Sequence, residues 1–143
     1  MLGAAGSPRR ALRPLPFATS TAMPYEVAVL QASGSTVLVP IAQSIIVAAQ
    51  LLPDMPSRYF VIDEKTLLLP LQSLILTRAR PIGIENAVAL MCLAYDGKQQ
   101  RRAPISVRPR ADGAYLVIDG NSTVTVARAA GWLSIPCTVV KSD

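Results

Sequence analysis

Five consecutive residues have the types and order of an anion-binding loop: Asp119, Gly120, Asn121, Ser122 and Thr123. They follow the β-branched and aromatic run 114–118, which predicts a strand, and they precede a segment with helical spacing. The first turn of a helix has free N–H groups and the positive end of the helix dipole, and glycine lets a phosphate approach the backbone closely. An ordinary capping turn has the same composition, so the residues alone leave both interpretations open.

Two acidic residues are candidates for catalysis at this loop. Asp119 immediately precedes Gly120, where a carboxylate can hold Mg²⁺ against a bound phosphate or position a water molecule. An ordinary turn aspartate fits that position equally well. Glu85 is the second candidate, at the start of a helix predicted over residues 84–95, although an acid there also suits the helix dipole. The chain has no histidine, which excludes Ser-His-Asp and Cys-His catalysis and histidine-ligated zinc.

The basic charge of the chain is concentrated between residues 78 and 110. This stretch has seven cationic and two acidic residues, a difference that equals the formal net charge of +5. A clustered excess favours a polyanionic partner, although a solvated face has the same composition. We expect Arg80 to face the loop and bind nucleotide phosphate through its guanidinium fork. The remaining arginines are predicted to follow a DNA backbone through salt-dependent contacts: Arg78, Arg101, Arg102, Arg108 and Arg110.

Several other side chains favour structural roles. Cys92 and Cys137 each lie in an apolar run, and two cysteines are too few for a disulfide framework or a metal site. They are predicted to be buried free thiols in a reducing cytoplasm. Trp132 is predicted to belong to the core, whereas base stacking and packing both stay open for Tyr115. Arg128, one helical turn beyond the loop, either reaches back to it or lies in solvent.

Strand and helix patterns surround the loop. Strands are predicted over 104–107, 114–118 and 135–140, with a short helix between the last two. Upstream patterns predict a hairpin over 25–31 and 36–40, an apolar helix over 41–52, strands over 59–62 and 66–71, and a helix over 84–95. The helix over 41–52 is shorter than the ~20 residues of a membrane span, and we expect it to face the core or a partner.

The length of 143 residues and the apolar content of 51% indicate one compact domain, with or without an extension. Twelve prolines and eight glycines indicate many short elements rather than long helices. We predict a flexible basic arm over residues 1–22, a hairpin and helix extension over 23–64, and the main domain over 65–143.

The main domain resembles a known family. The segment APISVRPRADGAYLVIDGNSTVTVARAAGWLSIPCTVV is similar to the ParB/sulfiredoxin superfamily, in which a strand and a hairpin lead into a glycine-led loop, a helix and a final strand. The upstream segment LLLPLQSLILTRARPIGIENAVALMCLAYDGKQQRRAPISV also fits, so the likeness covers about residues 65–140. The resemblance implies an α+β fold, with short helices packed against a mixed sheet.

The loop departs from the family pattern. Partition-type members have Gly-x-Arg-Arg-like residues there, and sulfiredoxins have Cys-His-Arg after the glycine, whereas this chain has Asn121, Ser122 and Thr123. Because no cysteine is present at these positions, we do not expect the sulfiredoxin reaction. Because the loop arginine of partition proteins is also missing, their nucleotide handling does not transfer unchanged.

Three functions stay open. The resemblance implies an enzyme, a DNase and ATPase that uses ATP and Mg²⁺ at the 119–123 loop, and plasmid-encoded members of this type block conjugative or type IV secretion DNA transfer. The second is a non-catalytic DNA-binding or adaptor module related to plasmid partition proteins. The third is an interaction protein that uses the 41–52 helix to dock on a conjugation or secretion component.

Overall fold

The structure, a computed structural model, describes residues 25–141, so the predicted arm over 1–22 lies outside the described residues. This part of the chain contains seven strands and four α-helices, with a 3₁₀ turn at Leu71–Ser73. The strands are β1 (Tyr25–Leu30), β2 (Thr36–Ile41), β3 (Leu67–Pro70), β4 (Leu74–Ile75), β5 (Ile105–Pro109), β6 (Tyr115–Asp119) and β7 (Ser134–Val139). The helices are α1 (Gln43–Ala49), α2 (Pro56–Tyr59), α3 (Pro81–Tyr95) and α4 (Asn121–Ala129).

The main sheet has five strands in the order β3-β7-β5-β6-β4. The β4–β6 and β5–β7 pairs are parallel, whereas the β3–β7 and β5–β6 pairs are antiparallel. Short helices pack against this mixed sheet, which confirms the predicted α+β class. Each parallel pair joins strands that are not consecutive in the chain, because α3 connects β4 to the oppositely directed β5 and α4 connects β6 to the oppositely directed β7.

The N-terminal hairpin continues the main sheet beyond β4. Strands β1 and β2 pair antiparallel, and Val29 forms an isolated parallel bridge with Leu76. The Leu30 N–H donates to the Leu76 carbonyl at 2.8 Å. The hairpin residue Val27, the α1 residue Ile46 and the β6 residue Val117 belong to the same hydrophobic core. The predicted extension and the predicted main domain therefore share one core.

The centre of this core is aromatic. The Tyr59 ring lies 5.0 Å from the Trp132 ring and 5.7 Å from the Tyr95 ring, centroid to centroid. The polar atoms of two of these aromatic side chains have hydrogen-bond partners: the Tyr59 hydroxyl donates to the Pro53 carbonyl, and the Trp132 indole N–H donates to the Leu52 carbonyl. The predicted core position of Trp132 is confirmed. Both cysteines are free, with Cys137 buried and Cys92 half-buried.

Two sequence predictions of secondary structure were wrong, and one short strand was not predicted. Residues 59–62 were expected to form a strand, but Pro56 begins a helical turn that ends at Tyr59, and Phe60 alone forms a bridge, with Arg102. The α3 helix begins at Pro81, three residues before the predicted start, because proline is favourable at the first helical position. The connection after the 3₁₀ turn contains the short strand β4. Within residues 25–141, no helix combines the length and the apolar character needed to cross a membrane.

Candidate anion-binding site

The N-termini of α3 and α4 meet at one edge of the main sheet. Because β4 and β6 are parallel, their carboxyl ends lie at the same edge, and each strand leads into one of these helices. A Cβ atom built on Gly83, in the first turn of α3, would lie 3.1 Å from the Ser122 hydroxyl oxygen in the first turn of α4. No side chain caps either helix. The positive ends of two helix dipoles therefore converge where ligands of open α/β sheets commonly bind.

Gly120 precedes α4 and has a conformation that favours glycine. Its φ of 105° and ψ of 18° lie in the left-handed region. A Cβ atom at this position would lie 2.6 Å from the Ile105 Cδ1 atom, closer than real contacts allow. The Val124 N–H donates to the Gly120 carbonyl at 2.9 Å and closes the first turn of the helix. The glycine thus permits both the turn and close packing against β5.

The Asn121 side chain holds the loop in place. Its Oδ1 accepts a hydrogen bond from the Thr77 N–H at 2.8 Å, and its Nδ2 donates to the Thr77 hydroxyl at 3.2 Å. The Thr77 hydroxyl in turn donates to the Val117 carbonyl at 2.7 Å. Thr123 is also buried, and Ser122 is half-buried. The groups at residues 121–123 that remain for contact with a ligand are therefore backbone N–H groups and the Ser122 hydroxyl.

Asp119 and Arg102 lie close enough beside this loop for the charge of one to act on the other. Asp119 is exposed at the end of β6, and Arg102 precedes β5, which pairs antiparallel with β6. Burial lowers the pKa of Arg102, and the negative charge of Asp119 opposes that change. The Arg102 Nη1 atom is buried and has no hydrogen-bond partner among the described residues. A half-buried guanidinium therefore lies close to the candidate catalytic carboxylate.

Sequence reasoning assigned Arg102 to a nucleic-acid backbone and missed this proximity. The backbone of Arg102 is held by two hydrogen bonds, from its N–H to the Tyr59 carbonyl at 2.8 Å and from the Val61 N–H to its carbonyl at 2.9 Å. A signal was present in the sequence, because antiparallel pairing of the predicted strands 104–107 and 114–118 brings residue 102 towards residue 119.

Glu85 lies one turn inside α3 and not in its first turn, because the helix begins at Pro81. It is exposed, and the prediction that it lies at the start of the helix is therefore wrong. No group of three or more His, Cys, Asp or Glu residues in the described part of the chain is arranged to hold a metal ion. Asp119 still fits Mg²⁺ chemistry, since this ion commonly binds through one or two carboxylates together with substrate phosphates.

Two predicted arginines lie at the same edge as the loop. Arg80 is the residue that precedes α3, and its Cβ atom lies 3.8 Å from a Cβ atom built on Gly83. Arg78 is exposed two residues earlier. Arg101 is exposed, and its Nη1 donates to the Ser57 carbonyl at 3.1 Å. The Arg80 backbone therefore lies beside the convergent helix N-termini, and the contact between its guanidinium group and the loop stays a prediction.

The remaining arginines lie elsewhere. Arg108 pairs in register with Leu116 near the start of β6, at the opposite end of the strand pair from Gly120. Arg110 forms an ion pair with Asp112 at 3.0 Å. Arg128 neither reaches back to the loop nor extends into solvent, since its Nη2 donates to the Leu71 carbonyl at 2.8 Å and to the Leu74 carbonyl. The predicted DNA-contacting arginines are therefore divided between two ends of the sheet.

Comparisons with known proteins provide little additional information. No family model matches the sequence, and no curated protein matches it. A solved structure of sulfiredoxin from Arabidopsis thaliana is similar with a TM-score of 0.37 and 20% sequence identity, over 54% of this chain and 85% of that chain. A likeness at this level supports no conclusion about activity.

Proposed function

We propose that the protein is a nucleotide-binding hydrolase that acts on DNA, a DNase and ATPase of the ParB/sulfiredoxin type. The observation that carries this proposal is the convergence of the N-termini of α3 and α4, with Gly83 against Ser122 and a left-handed Gly120. Phosphate is the anion class that helix N-termini suit best, because their free N–H groups and positive dipole ends favour negatively charged oxygen atoms. The order strand, hairpin, glycine loop, helix and strand supports the family assignment.

The residues at this edge have distinct roles in the proposed reaction. Backbone N–H groups of residues 121–123 and the Arg80 guanidinium bind phosphate oxygens. Asp119 accepts the proton of an attacking water molecule while the bond between phosphorus and the leaving oxygen breaks. Mg²⁺, bound by Asp119 and the phosphate oxygens, would stabilise the charge on the phosphate. Arg102 lies near this carboxylate, since the negative charge of Asp119 favours the charged form of Arg102.

The biological setting belongs to the same proposal. We propose an action on transferred DNA in the cytoplasm, in the manner of the plasmid fertility-inhibition protein Osa, on the basis of the small size, the basic charge and the loop sequence of the chain. A conjugation or type IV secretion component is the partner that this action would require. The exposed arginines at both ends of the sheet provide contacts for a DNA backbone.

The decisive experiment combines turnover with binding. We expect Mg²⁺-dependent ATP hydrolysis and nicking of supercoiled plasmid, reduced at least 100-fold in Asp119→Ala because a proton acceptor is lost. Glu85→Ala tests the second carboxylate, and Glu64→Ala, in an exposed turn, is the matched control with unchanged rates. ATP should shift the backbone amide resonances of residues 120–123 in an NMR titration. Absence of turnover in the unmodified protein would contradict the enzymatic proposal.

A non-catalytic DNA-binding or adaptor module is the second candidate. The exposed Arg108, on the strand end away from the loop, favours it, because a catalytic site does not require a cation there. This candidate predicts DNA retention that falls steeply with salt and no hydrolysis of ATP or DNA. Arg108→Ala should then reduce the slope of log K against log salt by about one unit, with Arg58→Ala as a control outside the predicted DNA-contacting set.

A further inference from the structure

The longest helix of the described chain is apolar on two opposite faces. The inner face of α3 is buried against the core through Ile84, Ala87, Val88, Met91 and Ala94. The outer face exposes Ile82 at 69%, Leu90 at 40% and Leu93 at 40%. A surface helix normally has polar and charged residues on its outer face, and a helix that is apolar all round is normally covered. The outer face of α3 therefore has the character of an interface.

The exposed residues have the spacing of a helix-pairing seam. Ile82, Asn86, Ala89 and Leu93 are all exposed and follow one another at steps of four, three and four residues. At about 100° per residue they form a stripe opposite the buried face. This is the a and d pattern of a coiled coil, in which one asparagine commonly specifies the register. The central Ala89 lets a second helix approach closely.

We propose that the outer face of α3 packs antiparallel against the same face of a second copy of this chain, to form a two-fold symmetric dimer. In this arrangement Ile82 of one copy lies opposite Leu93 of the other, and Asn86 lies opposite Ala89. Each large apolar residue then meets another, and each asparagine lies beside a small residue that leaves room for its amide. A parallel pair would instead place Ala89 against Ala89 and leave a gap at the centre of the seam.

The charges at the two ends of α3 support the antiparallel orientation. Arg78 and Arg80 precede the helix, whereas Asp96 follows it, and all three are exposed. Antiparallel packing places the arginines of each copy near Asp96 and the negative dipole end of the other copy. Lys98, two residues further on, offsets part of this attraction. A parallel pair would bring four arginines together at one end, which is unfavourable.

The seam of this dimer is separate from the proposed phosphate site, although Arg80, near Asp96 of the other copy, is also a proposed phosphate ligand. Gly83, which contacts Ser122, lies about 100° or more around the helix from the seam residue Ile82. The seam therefore leaves the contact between the two helix N-termini uncovered. A result that removes the dimer says nothing against phosphate binding, and a lack of turnover says nothing against the dimer.

The molar mass of the full chain in solution tests the proposal. Light scattering after size exclusion should give about twice the chain mass of 15.2 kDa, whereas Leu93→Lys should give the mass of one chain with unchanged circular dichroism. Leu133→Lys is the matched control, because Leu133 is 83% exposed on another part of the surface. A single-chain mass for the unmodified protein at about 100 μM, or a dimer retained by the folded Leu93→Lys variant, would overturn the proposal.

Disulfide trapping tests the orientation. In a Cys92→Ser background, an equimolar mixture of Ile82→Cys and Leu93→Cys chains is oxidised with copper phenanthroline. An antiparallel seam gives a mixed disulfide between the two variants and little cross-linking of either variant alone. Cross-linking of each variant with itself, or none in the mixture, would overturn the antiparallel arrangement. The buried Cys137 provides an internal check that unrelated thiols do not react.

Discussion

Gly120 is the residue at which the backbone of the candidate site is most constrained. Two separate effects act there, a left-handed φ of 105° and a clash of any Cβ atom with Ile105. Asn121 adds a third constraint, because its amide joins the loop to Thr77 through two hydrogen bonds. The conformation that directs the N–H groups of α4 outward is therefore determined by neighbouring side chains before any ligand binds.

Replacement of Gly120 by alanine should lower the free energy of unfolding by about 3 kcal/mol, the sum of left-handed strain and overpacking. Gly113→Ala is the matched control, because Gly113 has a φ of 89° but nothing within 4 Å of a built Cβ atom. It should lose only about 1 kcal/mol, the part that comes from strain. Urea denaturation of both variants measures the difference, and equal losses would show that the Ile105 contact is relieved by small movements.

Stability should fall as the pH rises above about 9. Burial raises the pKa of the Cys137 thiol from its ordinary value of 9.0 to about 12, and burial also raises the pKa of Tyr59. A raised pKa in the folded state means that the stabilisation is complete below the unfolded pKa and is lost as the pH rises towards the folded pKa. Each such group contributes a slope of up to about 1.4 kcal/mol per pH unit.

Urea midpoints measured between pH 7 and pH 11 test this pH dependence. The variant Cys137→Ala should have a shallower decline between about pH 8.5 and pH 9.5, where Tyr59 is still mostly protonated in both states because the ordinary pKa of tyrosine is about 10. An unchanged slope in this variant would assign the alkaline instability to other groups.

The helices and strands depend on a few contacts between distant segments. Arg128, in the last turn of α4, donates through Nη2 to the carbonyls of Leu71 and Leu74. This side chain thereby joins α4 to the 3₁₀ turn and to β4, and burial lowers its pKa. The sequence predicted that Arg128 would reach the loop or lie in solvent, whereas in the structure its guanidinium group joins two segments of the fold.

Arg128→Ala should destabilise the fold by about 2–3 kcal/mol, because two carbonyl groups lose a charged donor. Arg108→Ala, on the exposed surface of β5, should change stability by less than about 0.5 kcal/mol. Thermal unfolding followed by circular dichroism measures both values. Equal stability of the two variants would mean that water replaces the guanidinium at these carbonyls without loss.

Predictions of strand bounds from the local sequence were close where apolar residues alternate with a single period. The hairpin at 25–41 and the strands β5, β6 and β7 lie close to their predicted bounds, since alternation and turn residues are local properties. The aromatic run at Tyr59 and Phe60 was misassigned as a strand, because Tyr59 ends a helical turn and Phe60 forms only an isolated bridge, although both side chains are fully buried. Tertiary packing of Tyr59 against Trp132 overrides the local β preference there.

On the scale of the whole molecule, one core includes residues from both predicted parts of the chain. The fully buried Tyr59 and Phe60 belong to the predicted extension, and they pack with Trp132, Ile84 and Met91 of the predicted main domain. Hairpin residues extend the sheet through Val29 and Leu76. Removal of the extension would expose the aromatic centre of the core.

A fragment of residues 65–143 should therefore fail to fold cooperatively, in contrast to residues 23–143. The loss of two buried aromatic side chains alone corresponds to several kcal/mol, which is comparable to the total stability of a small domain. Dispersion of amide resonances in the NMR spectrum and a thermal transition measure the outcome. A dispersed spectrum and a sharp transition for the fragment would establish 65–143 as an independent domain.

Composition and local order were sufficient to establish the glycine loop between a strand and a helix, the basic stretch and the exclusion of histidine chemistry, whereas the α+β class was implied by the family resemblance. The meeting of the α3 and α4 N-termini, the placement of Arg102 near Asp119 and the contact between Thr77 and Asn121 were decided by the tertiary structure. The physical reason is that these residues are far apart in the chain and are brought together by strand order. The periodicity of a sequence encodes which face of an element is buried, but not which other element covers it.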